Sequence, residues 1–247
     1  MGVNGRGLRG WLRALRDAWF PPVCAHCRGL VDPARRHHLC EACARRVQRV
    51  GGARCTTCGY PFFGAPEAER VCEHCFELRP EYREGRTAVL LRGPARTLVI
   101  DLKYHGGVHL LAEIGLVARE AEGFLDHLRG ATLVPVPLHP RKLRERGYNQ
   151  SRLLAATFAK AAGGGTRVEE VLRRVRDTDT QTRLDRRTRQ ENLQGAFAAA
   201  RACRLDPGRR YVIIDDVFTT GATLNACAVA LRRGGAREID VATFGHG

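Results

Sequence analysis

Two hydrophobic periods share the chain from residue 86 onward. Short runs at 86–92, 132–137, 211–214 and 238–244 are rich in Val, Ile, Leu and Ala and are bounded by charged or turn residues, so each reads as a buried strand. Between them, 94–104, 108–129, 151–162 and 224–233 carry apolar residues at helical spacing, with Gly123 marking a break in the second. Strands alternating with helices predict an α/β domain around a parallel sheet. Residues 1–20 show a separate pattern. Leu8, Trp11, Leu12, Leu15 and Trp19 fall on one helical face and Arg6, Arg9, Arg13 and Arg16 largely off it, up to a stop at Pro21-Pro22. This basic amphipathic helix is read as packing onto the module that follows, with a membrane surface as the alternative.

Residues 21–80 have neither period. They hold eight of the ten cysteines, in four Cys-x-x-Cys pairs: Cys24/Cys27, Cys40/Cys43, Cys55/Cys58 and Cys72/Cys75. One pair can present two thiolates to a metal through a tight knuckle, and two pairs complete a tetrahedral site, so two structural zinc ribbons are expected. Disulfides are the alternative, disfavoured by the regular spacing and by the lack of a secretion signal. Sequential pairing of the knuckles is the expectation; interleaved pairing stays open. Eight thiolates leave no open coordination position, which makes the zinc ions structural rather than catalytic. Of the other two cysteines, Cys227 is read as a buried helix residue. Charged residues with Pro80 and Gly85 then form a linker.

At 247 residues there is room for one sizeable domain and a small appendage. The formal net charge is +15, and the basic excess is spread over both parts of the chain. Such a balance favours polyanionic partners without choosing among them. No stretch approaches 18 apolar residues and no signal peptide opens the chain, which predicts a cytoplasmic protein.

The most informative stretch is Tyr211 to Thr223, Tyr-Val-Ile-Ile-Asp-Asp-Val-Phe-Thr-Thr-Gly-Ala-Thr. An apolar strand ending at Asp215 and Asp216 is followed by a hydroxyl- and glycine-rich turn, Thr219, Thr220, Gly221, Ala222 and Thr223, at the start of a helix. Unpaired N–H groups and the positive end of the helix dipole would hold a phosphate there. The two carboxylates repel phosphate and suit ribose hydroxyls or a hydrated Mg2+ instead, so the set fits a phosphorylated sugar. A basic loop with Arg141, Lys142, Arg144 and Arg146 leaves the carboxyl end of the strand at 132–137 and should face this site. Its cations would hold pyrophosphate, whose departure from the anomeric carbon leaves negative charge to be stabilised. The Arg-rich region 173–195, poor in apolar residues, is read as a hood over the site or a track for a nucleic-acid backbone.

The 211–223 string resembles the phosphoribosyl pyrophosphate (PRPP) signature of type I phosphoribosyltransferases. That resemblance implies that Asp215 and Asp216 hold the ribose hydroxyls and that Thr219 to Thr223 hold the 5'-phosphate, with Mg2+ accompanying PRPP. Over roughly residues 21–244 the chain resembles the ComF family. It shares the Pro-Pro-x-Cys-x-x-Cys start, the four cysteine pairs, Leu-Lys-Tyr-His-Gly at 102–106, Val-Pro-Val-Pro-Leu, Arg-Gly-Tyr-Asn-Gln-Ser, Gln-Thr-Arg-Leu and Arg-x-x-Asn-Leu-x-x-Ala-Phe. The implied organisation is α/β: an amphipathic helix over 1–20, a double zinc ribbon over 21–80 and a type I phosphoribosyltransferase-like parallel-sheet domain over 86–247. The implied role is handling of single-stranded DNA during uptake and natural transformation, with a DNA-uptake helicase or other competence proteins as partners. The alternative is an active phosphoribosyltransferase that moves ribose 5-phosphate from PRPP to a nitrogenous base. Enzymes of that family that salvage 6-oxopurines have an acid at the first turn position, where this chain has Thr219. A neutral threonine cannot act as a base there near pH 7, which disfavours purine salvage and leaves orotate-like chemistry open.

Overall fold

The computed structural model describes residues 19, 21–32, 38–64, 70–176, 195–200 and 205–247. Apart from Trp19, the expected N-terminal helix lies outside the described residues, as does the Arg-rich region over 177–194.

Each cysteine knuckle turns on itself through sulfur-flanking backbone bonds rather than through a hydrophobic core. In the first ribbon Cys24 N–H donates to the Gly29 carbonyl, and helix α1 (Glu41–Arg45) starts at Cys40. In the second, Cys55 N–H donates to the Tyr60 carbonyl and helix α2 (Glu73–Phe76) starts at Cys72.

The chain then enters β1 (Gly85–Leu90), followed by α3 (Gly93–Tyr104), a 3-10 turn at Val108–Leu110, α4 (Leu111–Glu120), α5 (Phe124–Leu128) and β2 (Thr132–Pro135). The long helix expected over 108–129 is therefore three pieces. Gly123 sits at φ 67° immediately before α5, a left-handed conformation that glycine reaches without a Cβ penalty. Next come α6 (Pro140–Arg146), α7 (Gln150–Ala162), β3 (Arg167–Val168), β4 (Leu172–Arg174) and β5 (Phe197–Ala199). The basic segment expected as a loop is thus the short helix α6. Pro140 fits its first turn, the His139 ring accepts the Arg141 N–H, and Gly147 at φ 81° ends it. No residue of α6 is buried, so it has no apolar stripe by which periodicity could reveal it. The chain closes with β6 (Arg210–Phe218), α8 (Ala222–Arg233) and β7 (Glu238–His246). Strand β6 does not stop at the acidic pair; it runs through Asp215 and Asp216 to Phe218, paired with β7 throughout.

Five strands form one parallel sheet in the order β1-β7-β6-β2-β3, and β4 pairs with β5 in a separate antiparallel ribbon. The period of two along β6 divides the core. Val212 and Ile214 pack with α3, α4, α5, α7 and residues of the first ribbon, including Cys24, Leu39 and Cys43. Tyr211 and Ile213 pack with α8, Phe197 and the second ribbon's Cys55, Cys58 and Cys75. The two ribbons thus close opposite faces of the same sheet.

One buried group on this scaffold has a measurable pH signature. His127 of α5 has a side chain only 6 % exposed, with Nε2 3.3 Å from the Val241 carbonyl. Burial lowers its pKa from 6.5 to about 4, against the opposing pull of Asp240. A histidine depressed in the folded state leaves stability untouched above the unfolded pKa. Stability is then lost as pH falls from 6.5 through about 4, because the unfolded chain takes the proton first. Urea unfolding at pH 7.5 and 5.5 should show that His127→Gln loses about 1 kcal/mol less than wild type over that interval. Equal losses in both proteins would mean that His127 is not held neutral by burial.

Candidate functional site

Strands β2 and β6 are neighbours, so their carboxyl ends open onto a common cleft of about 460 Å3. Asp215, Asp216, Lys142, Arg146 and Thr223 all line it. Three residues within the Leu-Lys-Tyr-His-Gly segment, Lys103, Tyr104 and Gly106, form another wall, and Arg174 of β4 a further one. Lys103, Lys142, Arg146 and Arg174 face three carboxylates, Asp215, Asp216 and Glu145. The balance is net positive, as an anion site requires.

Within the pair the two carboxylates differ. Asp215 Oδ1 accepts from Ser151 Oγ at 2.8 Å and from the Asp216 N–H at 2.9 Å. Ser151 is placed for this by the cap of α7, where Asn149 Oδ1 accepts the Ser151 N–H at 3.0 Å and Asn149 Nδ2 donates to the Val136 carbonyl at 3.0 Å. Burial pushes the Asp215 carboxyl above its ordinary value, with Lys103 and the Ser151 hydroxyl opposing. Asp216 is 3 % exposed, and its Oδ2 lies 2.5 Å from Lys103 Nζ in an ion pair. Burial lowers the Lys103 pKa in turn, Asp215 opposing. Lys103 was not among the residues read as functional from the sequence. Its position in a shared motif was the available signal, but only the third dimension brings it to Asp216.

Arg146 is bonded to Gln150 Oε1 and its guanidinium lies 5.5 Å from the Tyr104 ring centroid. Arg141 does not line the cleft; it sits 3.9 Å from Glu145. The reason is helical phase. Lys142 and Arg146, four apart, share a face of α6, and Arg141 is one step, about 100°, around from Lys142.

Thr219, Thr220 and Gly221 link β6 to α8, and Ala222 begins the helix. Gly221 at the N-cap has no side chain to offer α8, and of the helix's first N–H groups that of Ala222 donates to Thr220 Oγ1 at 3.4 Å. Gly221 is left-handed at φ 74°, and a Cβ there would stand 2.7 Å from Phe218 Cζ and 2.8 Å from Leu78 Cδ2. The space released by this glycine is therefore filled by protein. The second ribbon also reaches the turn directly, since His74 Nε2 donates to the Thr219 carbonyl at 3.0 Å. Cys227 on α8 is fully buried, and burial pushes its thiol well up, away from any nucleophilic role.

The cysteines form two sets, Cys24, Cys27, Cys40, Cys43 and Cys55, Cys58, Cys72, Cys75, with the sulfurs of each set within 4.8 Å of one another. The knuckles pair sequentially. Zinc bonded to sulfur at about 2.3 Å sets its ligands about 3.8 Å apart in a tetrahedron. Across the knuckles, Cys27 and Cys40 Sγ are 3.6 Å apart and Cys58 and Cys72 Sγ 3.8 Å. The donors fit the ion. Four thiols so close cannot all ionise unaided: the Cys55 sulfur raises Cys58, and burial raises Cys43. A bound dication removes that penalty.

Comparison with known proteins agrees with this geometry. The family model described as "Double zinc ribbon domain" matches residues 15–76. "DNA utilization protein YhgH" of Salmonella typhimurium is 33% identical over 231 residues, covering 90% of this chain and 95% of the relative. "Competence protein F" of Haemophilus influenzae is 28% identical over 227 residues, covering 88% and 94%.

This chain belongs to the ComF family.

The double zinc ribbon and a parallel-sheet α/β domain are the two parts that the ComF resemblance implied, and the sheet has five strands. Among solved structures, one titled as the allosteric regulatory enzyme of purine biosynthesis matches 57% of this ComF-family chain and 29% of its own length. Its identity is 19% and its TM-score 0.35, too distant to carry an argument. Among the described residues no helix of this ComF-family protein is long and apolar enough to cross a membrane.

Proposed function

We propose that this protein binds PRPP with Mg2+ in the cleft at the carboxyl ends of β2 and β6, and that it handles single-stranded DNA in the cytoplasm during DNA uptake. The observation that carries the first part is the convergence of Asp215 and Asp216 with Lys103, Lys142, Arg146 and Thr223, the last residue of the Thr219–Thr223 turn, in one cleft. The carboxylates suit the ribose hydroxyls, the turn suits the 5'-phosphate, and the cations suit the pyrophosphate. Mg2+, when bound, neutralises pyrophosphate charge. Ser151 orients Asp215, and Lys103 supplies the charge opposite Asp216. The DNA part is supported by the +15 net charge and by the names of the relatives, which concern competence and DNA utilization.

Two titrations test this reading. Calorimetry of PRPP into the zinc-loaded protein should give saturable binding that strengthens with Mg2+. Single-stranded DNA should be retained at moderate salt, with log affinity falling about 0.7 per phosphate contact for each tenfold rise in salt. Absence of PRPP binding would sink the first part, and absence of DNA retention the second. A second reading, transfer of the sugar to a nitrogenous base, is favoured by the joint presence of the acidic pair and the turn. Pyrophosphate release on adding a base, measured with the same protein, distinguishes turnover from binding alone.

A further inference from the structure

A second concavity, of about 750 Å3, lies apart from the cleft, between the second zinc ribbon and the carboxyl ends of β1 and β7. Its ribbon wall carries Tyr60, Phe62 and Arg70, and its sheet wall carries Arg92 and His246. Three features of this pocket point to one class of ligand.

The first is His246, the last residue of β7. It is 8 % exposed, and its Nε2 is buried without a hydrogen-bond partner. A buried polar atom left unpaired is costly, so a group that bonds it from within the pocket is stabilised by that contact. Burial lowers the His246 pKa to about 4, with the nearby His74 adding to the shift, and the ring is therefore neutral near pH 7. A neutral imidazole can donate or accept at Nε2 according to its tautomer. The ring is held in place by Phe218, stacked at 5.2 Å, and by Tyr60, edge-on at 5.0 Å.

The second feature is flat apolar surface. Tyr60 and Phe62 line the pocket, and the Arg70 guanidinium lies over the Phe62 ring at 4.6 Å, so ring and guanidinium together form a flat stack that another planar group can extend. The third is charge. Arg70 and Arg92 outnumber the one carboxylate of the lining, Glu73, so the pocket favours an anion. An aliphatic ligand would leave His246 unsatisfied, and a cation would be repelled by Arg70 and Arg92, which outnumber Glu73. A planar heterocycle with polar edges and an attached phosphate satisfies all three.

We propose that this pocket binds an unpaired nucleobase, stacked against the Tyr60 and Phe62 wall and hydrogen-bonded to His246, with its phosphate at Arg70 and Arg92. The proposal rests on the DNA-handling reading only for the source of the base, which can belong to a strand or to a free nucleotide. His74 lines the same pocket and donates to Thr219, so the occupied pocket abuts the proposed phosphate turn.

The test uses the zinc-loaded full chain and fluorescence anisotropy at one salt concentration. A single-stranded 12-mer is compared with an abasic 12-mer of the same charge, and nucleoside 5'-monophosphates are titrated separately. Base stacking predicts that the normal strand binds at least about 5-fold tighter than the abasic one. Phe62→Ala and His246→Phe should bring that ratio close to one without changing abasic affinity, while Phe62→Trp should preserve it. Phe62 is only partly buried, so its variants remain informative if His246→Phe unfolds; zinc content and thermal unfolding report which occurs. If neither strand binds but nucleotides do, and Phe62→Ala abolishes that, the DNA reading fails and the pocket stands with a free nucleotide as its source. Equal binding of both strands without nucleotide binding, or a base preference unchanged in the Phe62→Ala protein, overturns the proposal while DNA handling survives. Binding of nothing overturns both.

Discussion

The Asp215→Asn, Asp216→Asn double variant should bind PRPP with Mg2+ at least about 100-fold more weakly than wild type. A hydrogen bond to a charged group contributes roughly 1.5–3 kcal/mol, and the proposed site uses two carboxylates on the ribose diol. Two such bonds amount to about 3–6 kcal/mol, and each 1.4 kcal/mol is a factor of ten. The amides keep the shape of the carboxylates, so the loss reports charge rather than packing. Lys103 would lose its counter-charge at Asp216, which should lower the unfolding temperature without touching the zinc sites, so zinc content should stay at the wild-type level. If the double variant titrates with PRPP as wild type does, the cleft is not the PRPP site. If wild type itself does not bind, the sheet is a scaffold and the nucleobase pocket becomes the better place to look for function.

Cys58→Ser should have the largest effect on stability, and its effect should extend to the phosphate turn. Structural zinc supplies about 10–16 kcal/mol to small ribbons, comparable with the whole folding free energy of a typical domain. Loss of one ligand of the second set should reduce bound zinc from two ions to one per chain, measured by a chromogenic chelator after denaturation. The unfolding temperature should fall by about 10 °C or more. PRPP affinity should drop as well, because the second ribbon touches the turn through His74 and through Leu78 beside Gly221. Cys24→Ser makes the comparison internal. The first ribbon packs on the opposite face of the sheet, so that variant should lose its zinc with a smaller effect on PRPP. Two zinc ions retained in Cys58→Ser would contradict the ligand assignment. Equal losses of PRPP affinity in the two variants would contradict the proposed link between the second ribbon and the turn.

The readable parts of the chain were those whose signal is local. The apolar runs that became β1, β2, β6 and β7 are buried on both sides, so composition alone marks them, although β6 continues beyond its apolar residues because pairing with β7 carries Asp215 and Asp216 along. The short helix α6 was missed because it lies on the surface and has no buried face. Its helical turn is also why Lys142 and Arg146 meet the cleft while Arg141 does not.

The sequence by itself determined the zinc ligands, the parallel α/β order and the acidic pair next to a hydroxyl-rich turn. These depend on covalent spacing, which a few residues specify wherever they occur. Only the tertiary structure decided which face of the sheet each ribbon closes, that Lys103 reaches Asp216, and that Tyr60 and Phe62 share a pocket with His246 from the other end of the chain. Those meetings are set by the alternation of side chains across the sheet and by the order of strands in it, neither of which leaves a mark at the separate positions that come together.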